Sequence, residues 1–340
     1  MIGESQRFAS LIEEAALGLE KRGALSSIED LPSVWSMESG SQAWIVDGLI
    51  PAQAITLLTG AAGIGKSMLA LALSGSVAWG KSFLGRRCEQ MPVLILDREN
   101  PLSVVHDRLE DLHIGQHRDI RYWGMWHEAQ YGQPPDPNAE IIRRFVVSGK
   151  PLVVMDSLIA FLHGSEQDAT ETRKFMQILR RLAAAGATVV VLHHTGKGDT
   201  SKDYRGSSDI PAAVDAAFVL ERTGGGTGLE KLTLRNFKMR CAEAPGRLGL
   251  EFREGHFAAV TDPFVQETLK AQDDLRRIVE ATPGISKTAA EGKLTEFGVK
   301  RARARELVTA LITSGEIVPT KEGKGGGQTL RLAEMLELQL

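Results

Sequence analysis

An α/β fold with a mostly parallel central sheet is the expectation from three features of this 340-residue chain. Apolar runs of strand length alternate with helical patterns between Ala54 and Leu192, as in a parallel sheet covered on both faces. One run leads straight into Gly60-Ala61-Ala62-Gly63-Ile64-Gly65-Lys66-Ser67, and a strong helix former, Ser67 to Leu73, follows it. Beyond Ala216 the apolar runs crowd together without helices, so the far edge of the sheet is expected to be antiparallel.

Bulk properties narrow the class. A net charge of -3 argues against a uniformly basic nucleic-acid coat, though not against a basic channel or patch. Cys88 and Cys241 stand alone, without zinc spacing or a disulfide framework. The first residues hold no apolar signal core, and no run approaches about 18 apolar residues. A cytoplasmic location without membrane contact is expected.

Residues 1–43 read as an amphipathic helix and a linker. Phe8, Leu11, Ile12, Ala15 and Leu19 share one helical face, and Gly23 offers a stop. That face packs on its own core or on the next subunit. Residues 44–262 form the α/β domain. Trp44 to Pro51 leads into the first strand, Ala54 to Thr59. Strands are then expected at Val93 to Leu96, Ile120 to Trp126, Leu152 to Met155 and Thr188 to Leu192. Helices are expected at Ser103 to His113, Ile141 to Val147 and Thr170 to Ala185. Later β-like runs are Ala216 to Leu220, Leu232 to Arg235 and Leu248 to Phe252. Residues 263–340 show helical patterns at about 266–281, 286–296 and 299–314, then two β-like runs around a glycine-rich hairpin. Three helices and a two-stranded ribbon make a small winged-helix pattern.

The glycine segment fits G-x-x-x-x-G-K-[ST] in its required setting of strand, loop and helix. Its glycines let amide hydrogens converge on an anion, and the helix start adds partial positive charge. ATP is expected there, cradled by Gly60, Ala61, Ala62, Gly63, Ile64, Gly65, Lys66, Ser67 and Met68. Lys66 reaches the outer phosphates, and the Ser67 hydroxyl ligates Mg²⁺. Asp156 ends an apolar strand and is the expected metal-side carboxylate, with helix capping as the alternative. Glu99, just past another strand, is the candidate base for water. Asp97 competes for that role; it is otherwise structural or paired to Arg98. His194, at the tip of Val189 to Leu192, can touch the γ-phosphate and report its loss.

Taken in order, these pieces carry a resemblance. Strand, P-loop and helix are followed by Leu96-Asp97-Arg98-Glu99-Asn100-Pro101, Val153-Val154-Met155-Asp156-Ser157-Leu158, Val191-Leu192-His193-His194-Thr195-Gly196-Lys197 and Arg205-Gly206-Ser207-Ser208. Over roughly residues 44–255 the chain resembles the RecA-like P-loop ATPases, and among them the plasmid RepA-type hexameric helicases. The resemblance implies that Glu99 is the catalytic carboxylate and His194 the sensor. It implies a homo-oligomeric, hexameric ring with ATP between subunits, where a neighbour supplies cations. Leu234 to Arg240 resembles the family's Lys-x-Arg strand, so Lys238 and Arg240 are candidate trans cations, with Arg205 a third. The family's glycine after that motif is replaced by Cys241. The segment 196–208, with Lys197, Lys202 and Arg205, is the implied channel loop for single-stranded DNA, and Phe161 to Asp168 a second one. His106 or Arg108 is placed to stack on adenine, while Trp123 and Trp126 read as core or edge.

The implied function is a Mg²⁺-dependent ATPase acting on DNA, a RepA-like helicase in replication of a plasmid, phage or mobile element. The alternative is an ATP-switched DNA-binding regulator without motor activity. Its output would be the winged helix, where Lys293, Lys300, Arg301, Arg303 and Arg305 cluster and could meet duplex DNA or a protein.

Overall fold

The computed structural model describes residues 27–36, 40–117, 119–165, 167–195, 203–204, 206–321 and 328–333. The expected N-terminal helix, most of segment 196–208 including Lys197, Lys202 and Arg205, and the tip of the C-terminal hairpin lie outside them. The chain divides into two compact units, one ending at Val260 and the other starting at Thr261.

The first unit begins with a short antiparallel pair, β1 (Trp44–Val46) and β2 (Ile50–Pro51). There follow β3 (Ile55–Gly60), α1 (Lys66–Trp79), β4 (Val93–Asp97), α2 (Leu102–Asp111), β5 (Ile120–Gly124), α3 (Glu128–Tyr131) and α4 (Glu140–Gly149). Next come β6 (Leu152–Asp156), α5 (Leu158–Phe161), α6 (Ala169–Ala184), β7 (Thr188–His194) and α7 (Asp209–Ala213). Four strands close the unit: β8 (Ala216–Gly226), β9 (Leu229–Met239), β10 (Arg247–Arg253) and β11 (His256–Val260). The central sheet runs β11-β10-β9-β8-β3-β7-β6-β4-β5. Pairings from β8 through β5 are parallel; β8 to β11 pair antiparallel with their neighbours in sequence.

The central strands are apolar on both faces because helices cover both. Successive residues alternate between two cores. Leu58, Val154 and Val190 point to the side of α1, against Leu69, Leu73 and Val77. Leu57, Val153 and Val191 point to the other, against Val146 of α4 and Phe175 and Leu179 of α6. Each such side chain fully buried contributes roughly 1.5–3 kcal/mol.

Two expectations change at the sheet's rim. The strand expected to run to Trp126 stops at Gly124, and a single tight turn, Met125–His127, follows. Gly124 permits this, because a Cβ there would lie 2.3 Å from the Trp126 ring. The loop expected from Phe161 starts later, since Phe161 ends α5 and is only 1% exposed. Strand β11 and the β1–β2 pair are additions to the expected set.

The second unit holds α8 (Pro263–Ala281), β12 (Ile285–Ser286), α9 (Lys287–Glu296), α10 (Arg301–Thr313), β13 (Ile317–Lys321) and β14 (Gln328–Leu332). Its strands form a sheet ordered β12-β14-β13. Asp262 caps α8 by accepting from the amides of Phe264 (2.8 Å) and Val265 (3.3 Å), and Pro263 follows it at the helix start. Leu275, Val279, Leu294, Val308, Leu311, Ile317 and Leu330 make a separate core. Among the described residues, no helix is long and apolar enough to cross a membrane.

Candidate active site

Register brings the candidate residues to one edge. Gly60 pairs with His194 across β3 and β7, and Asp97 pairs with Asp156 across β4 and β6. All four stand at the carboxyl ends of parallel strands, where open α/β sheets bind ligands.

Between β3 and α1 the chain curls tightly. Gly63 and Gly65 have φ of +72° and +102°, a region that side chains with a Cβ avoid. No side chain among the described residues caps the α1 N-terminus, so its first amides are oriented for an anion. Lys66 is 7% exposed. Its Nζ donates to the carbonyls of Gly60 (3.0 Å) and Ala61 (2.9 Å) and lies 3.4 Å from His194 Nδ1. Burial lowers the Lys66 pKa, opposed by the carboxylates of Asp156 and Glu99.

Ser67 Oγ donates to Asp156 Oδ2 at 2.6 Å. Burial pushes the Asp156 carboxyl up to about 6; Ser67 opposes this, and the nearby Asp97 and Glu99 add to it. Asn100 Nδ2 bridges Asp156 Oδ2 (3.1 Å) and Asp97 Oδ2 (2.9 Å), and Arg108 donates to Asn100 Oδ1 at 2.8 Å. Glu99 Oε1 accepts from Ser157 Oγ, just beyond the strand end. The Asp156–Ser157 peptide is cis.

This arrangement separates the two competing acids. Asp97 is fully buried and saturated. It accepts from the amides of Glu99 (2.8 Å) and Asn100 (3.0 Å), from Asn100 Nδ2, and from the Tyr122 hydroxyl at 2.5 Å. It therefore braces the turn that presents Glu99. Nor does Asp97 pair with Arg98. The Arg98 guanidinium pairs with Asp136 at 3.0 Å, donates to the Pro134 carbonyl and stacks 4.1 Å from the Phe161 ring centroid. Arg108 is drawn toward the acids through Asn100, whereas His106 is exposed on α2. Trp123 donates to the Gly132 carbonyl, Trp126 packs on Tyr122, and His163 meets Asp136 at 2.7 Å. The sequence reading missed Asn100, Ser157 and Tyr122. Asn100 and Ser157 flank the picked acids in sequence, a usable signal; Tyr122 has none.

Lys238 and Arg240 lie elsewhere. Strand β9 runs antiparallel to β8, with Met239 opposite Ala216, so its end reaches the amino edge of the sheet. Lys238 Nζ donates to the carbonyls of Pro211 (2.6 Å) and Ala212 (3.0 Å). Arg240 meets Asp215 at 3.2 Å and the Ala212 carbonyl at 3.1 Å. They are not brought to the P-loop of their own chain. Arg205 lies outside the described residues.

The donor set suits the expected ion. Ser67 Oγ and an Asp156 carboxylate oxygen form an oxygen-only pair beside the P-loop, as a hard cation such as Mg²⁺ requires. These two residues would hold it, and bound there it would neutralise charge on phosphate oxygens.

Residues 33–200 match the family model described as AAA domain. The chain is also similar to the crystal structure of the flagellar accessory protein FlaH from Methanocaldococcus jannaschii, at 12% identity and a TM-score of 0.46. That match covers 63% of this chain and 92% of the other. The strand order, the P-loop, the paired acids and the family match agree: residues 33–200 are an AAA domain of the RecA-like P-loop ATPase class.

Proposed function

We propose that this chain is a Mg²⁺-dependent ATPase that assembles into a homo-oligomeric, hexameric ring and acts on DNA, as a RepA-type helicase does. The observation that carries the reading is the set Lys66, Ser67, Asp156, Glu99 and His194 gathered at one sheet edge. In this reading the Lys66 ammonium leaves its two carbonyls for the β- and γ-phosphates. Glu99 takes a proton from the attacking water, its carboxylate aligned by Ser157. The γ-phosphoryl group passes to that water, and ADP leaves. His194, 3.4 Å from Lys66 Nζ, senses the loss and passes it to segment 196–208, which contacts single-stranded DNA. Lys238 and Arg240 act on the next subunit's phosphates, where a cation delivered by assembly stabilises developing charge.

Forked DNA tests this directly. The chain should unwind it with ATP, Lys66→Ala should not, and the mass in solution with ATP and single-stranded DNA should be sixfold. A monomer under every condition, with turnover indifferent to DNA, would overturn the reading.

One observation favours the non-motor alternative. The second unit runs helix, strand, helix, helix, strand, strand, which we read as a winged helix. Lys300, Arg301 and Arg305 stand at the start of α10, while Arg303 turns onto the Phe264 ring and Thr268. Sequence-specific duplex binding that survives deletion of residues 196–208, without unwinding, would support this second reading.

A further inference from the structure

Asp215 is a buried carboxylate, 6% exposed, that the chemistry above does not use. It precedes β8 at the amino edge of the sheet. Its Oδ2 accepts from the Ile55 amide (2.9 Å) and Arg180 Nη1 (2.7 Å). Its Oδ1 accepts from Arg180 Nη2 (3.0 Å) and Arg240 Nη1 (3.2 Å). Its own amide donates to the Ile55 carbonyl at 2.9 Å, and its carbonyl accepts from the Arg240 amide at 2.8 Å. One residue thus ties together the start of β3, helix α6, the start of β8 and the chain leaving β9.

The charges around it do not cancel. Arg180 and Arg240 share this one carboxylate, and the nearby Lys238 bonds to two carbonyls rather than to an acid. Burial lowers the Lys238 pKa, the Arg240 and Arg180 charges lower it further, and Asp215 opposes them. Arg240 is more than half exposed and Arg180 nearly so. A surplus of cations on the surface, held by a carboxylate underneath, is an arrangement suited to an anion arriving from outside. Long cationic side chains are costly to immobilise, so a group that fixes them beforehand raises what they can deliver.

We propose that Asp215 and Arg180 are positioning residues, which hold Arg240, beside Lys238, at the geometry needed by phosphates bound to the next copy. This rests on the trans role read above for those two cations. The anchor on Ile55 matters too. At the other end of the same strand the P-loop begins at Gly60, so each subunit's donated cations are referenced to its own nucleotide strand.

Mixed assemblies test the inference. Asp215→Asn keeps an acceptor for the Ile55 amide but gives up the charge that clamps two guanidinium groups. Alone, it should bind a fluorescent ATP analogue as the parent does and lose roughly 10²-fold in kcat, the scale of an ångström-level misplacement. Mixed with Lys66→Ala copies, which lack a working site but present intact cations, turnover should rise well above the sum of the two alone. A purely structural role would damage β3 in the only copies that still carry Lys66, and mixing would recover nothing; that result overturns the inference. If Asp215→Asn does not fold, Arg180→Gln carries the same comparison. The Lys238→Ala and Lys66→Ala mixture is the control. Recovery there without recovery for Asp215→Asn sinks this inference alone, whereas no recovery there sinks the trans reading itself.

Discussion

The two edges of the central sheet carry opposite imbalances of charge. At the carboxyl edge Asp97, Glu99 and Asp156 surround Lys66 and Arg108, and acids prevail. At the amino edge Arg180, Lys238 and Arg240 surround Asp215, and cations prevail. Both clusters are pinned to β3, one at Ile55 and the other just past Gly60. In the function proposed above, that difference has a reason: each edge is arranged for a partner that the isolated chain does not supply. Stability alone would neutralise each; the sheet instead spends buried charge on groups that a nucleotide, a cation or another copy can satisfy.

The strongest way to break this contrast is Glu99→Gln. It should bind ATP as the parent does yet lose about 10²- to 10⁴-fold in turnover, the usual share of a general base. Equal loss of ATP binding would mean that Glu99 shapes the pocket and does not act on water. The next is Asp156→Asn. Burial pushes the folded-state carboxyl up to about 6, against 3.8 for an ordinary aspartate. Between those values the folded protein binds more protons than the unfolded one, so stability falls as pH rises across that window and the cost persists above it. Asp156→Asn should therefore stabilise the nucleotide-free protein at neutral pH, by on the order of 2–3 kcal/mol, with the gain fading near pH 4. Urea melts at both pH values read this, and the variant should also lose Mg²⁺-dependent nucleotide affinity. A variant less stable at pH 7 than the parent would show that Asp156 is a structural asset at its edge.

Smaller effects sharpen the picture. Tyr122→Phe removes one donor from buried Asp97 and should cost about 1–3 kcal/mol in urea melts. Unchanged stability would show that Asn100 and the two amides suffice. Arg144→Ala breaks only an exposed pair with Glu140 on α4 and should stay within about 0.5 kcal/mol. It marks the scale of a charge belonging to neither edge.

Much of the carboxyl edge was legible in the linear chain. Each of its groups sits at the end of a short apolar run, so Lys66, Glu99, Asp156 and His194 could be found from neighbours a few residues away. The brace beneath them was not legible. Asp97 is saturated partly by Tyr122, 25 residues later, and only the pairing of β4 with β5 brings them together. Asp215 was less legible still, since its partners come from positions 55, 180 and 240. Strand β11 escaped notice because it is the outermost strand and its residues lie largely open to water, which erases the apolar alternation. Arg98 seemed free to pair with its neighbour, but it lies in the bend just past β4, where its guanidinium meets Asp136 and the Pro134 carbonyl instead.

The Lys66 ammonium, already satisfied by the Gly60 and Ala61 oxygens, makes entry into the loop an exchange of partners. A short anion that reaches only the amide rim leaves those two bonds in place and collects little. A polyphosphate long enough to replace both recovers what the lysine gives up and gains the amides besides. In the function proposed above, such an exchange would favour a longer phosphate chain before any base or ribose has been read.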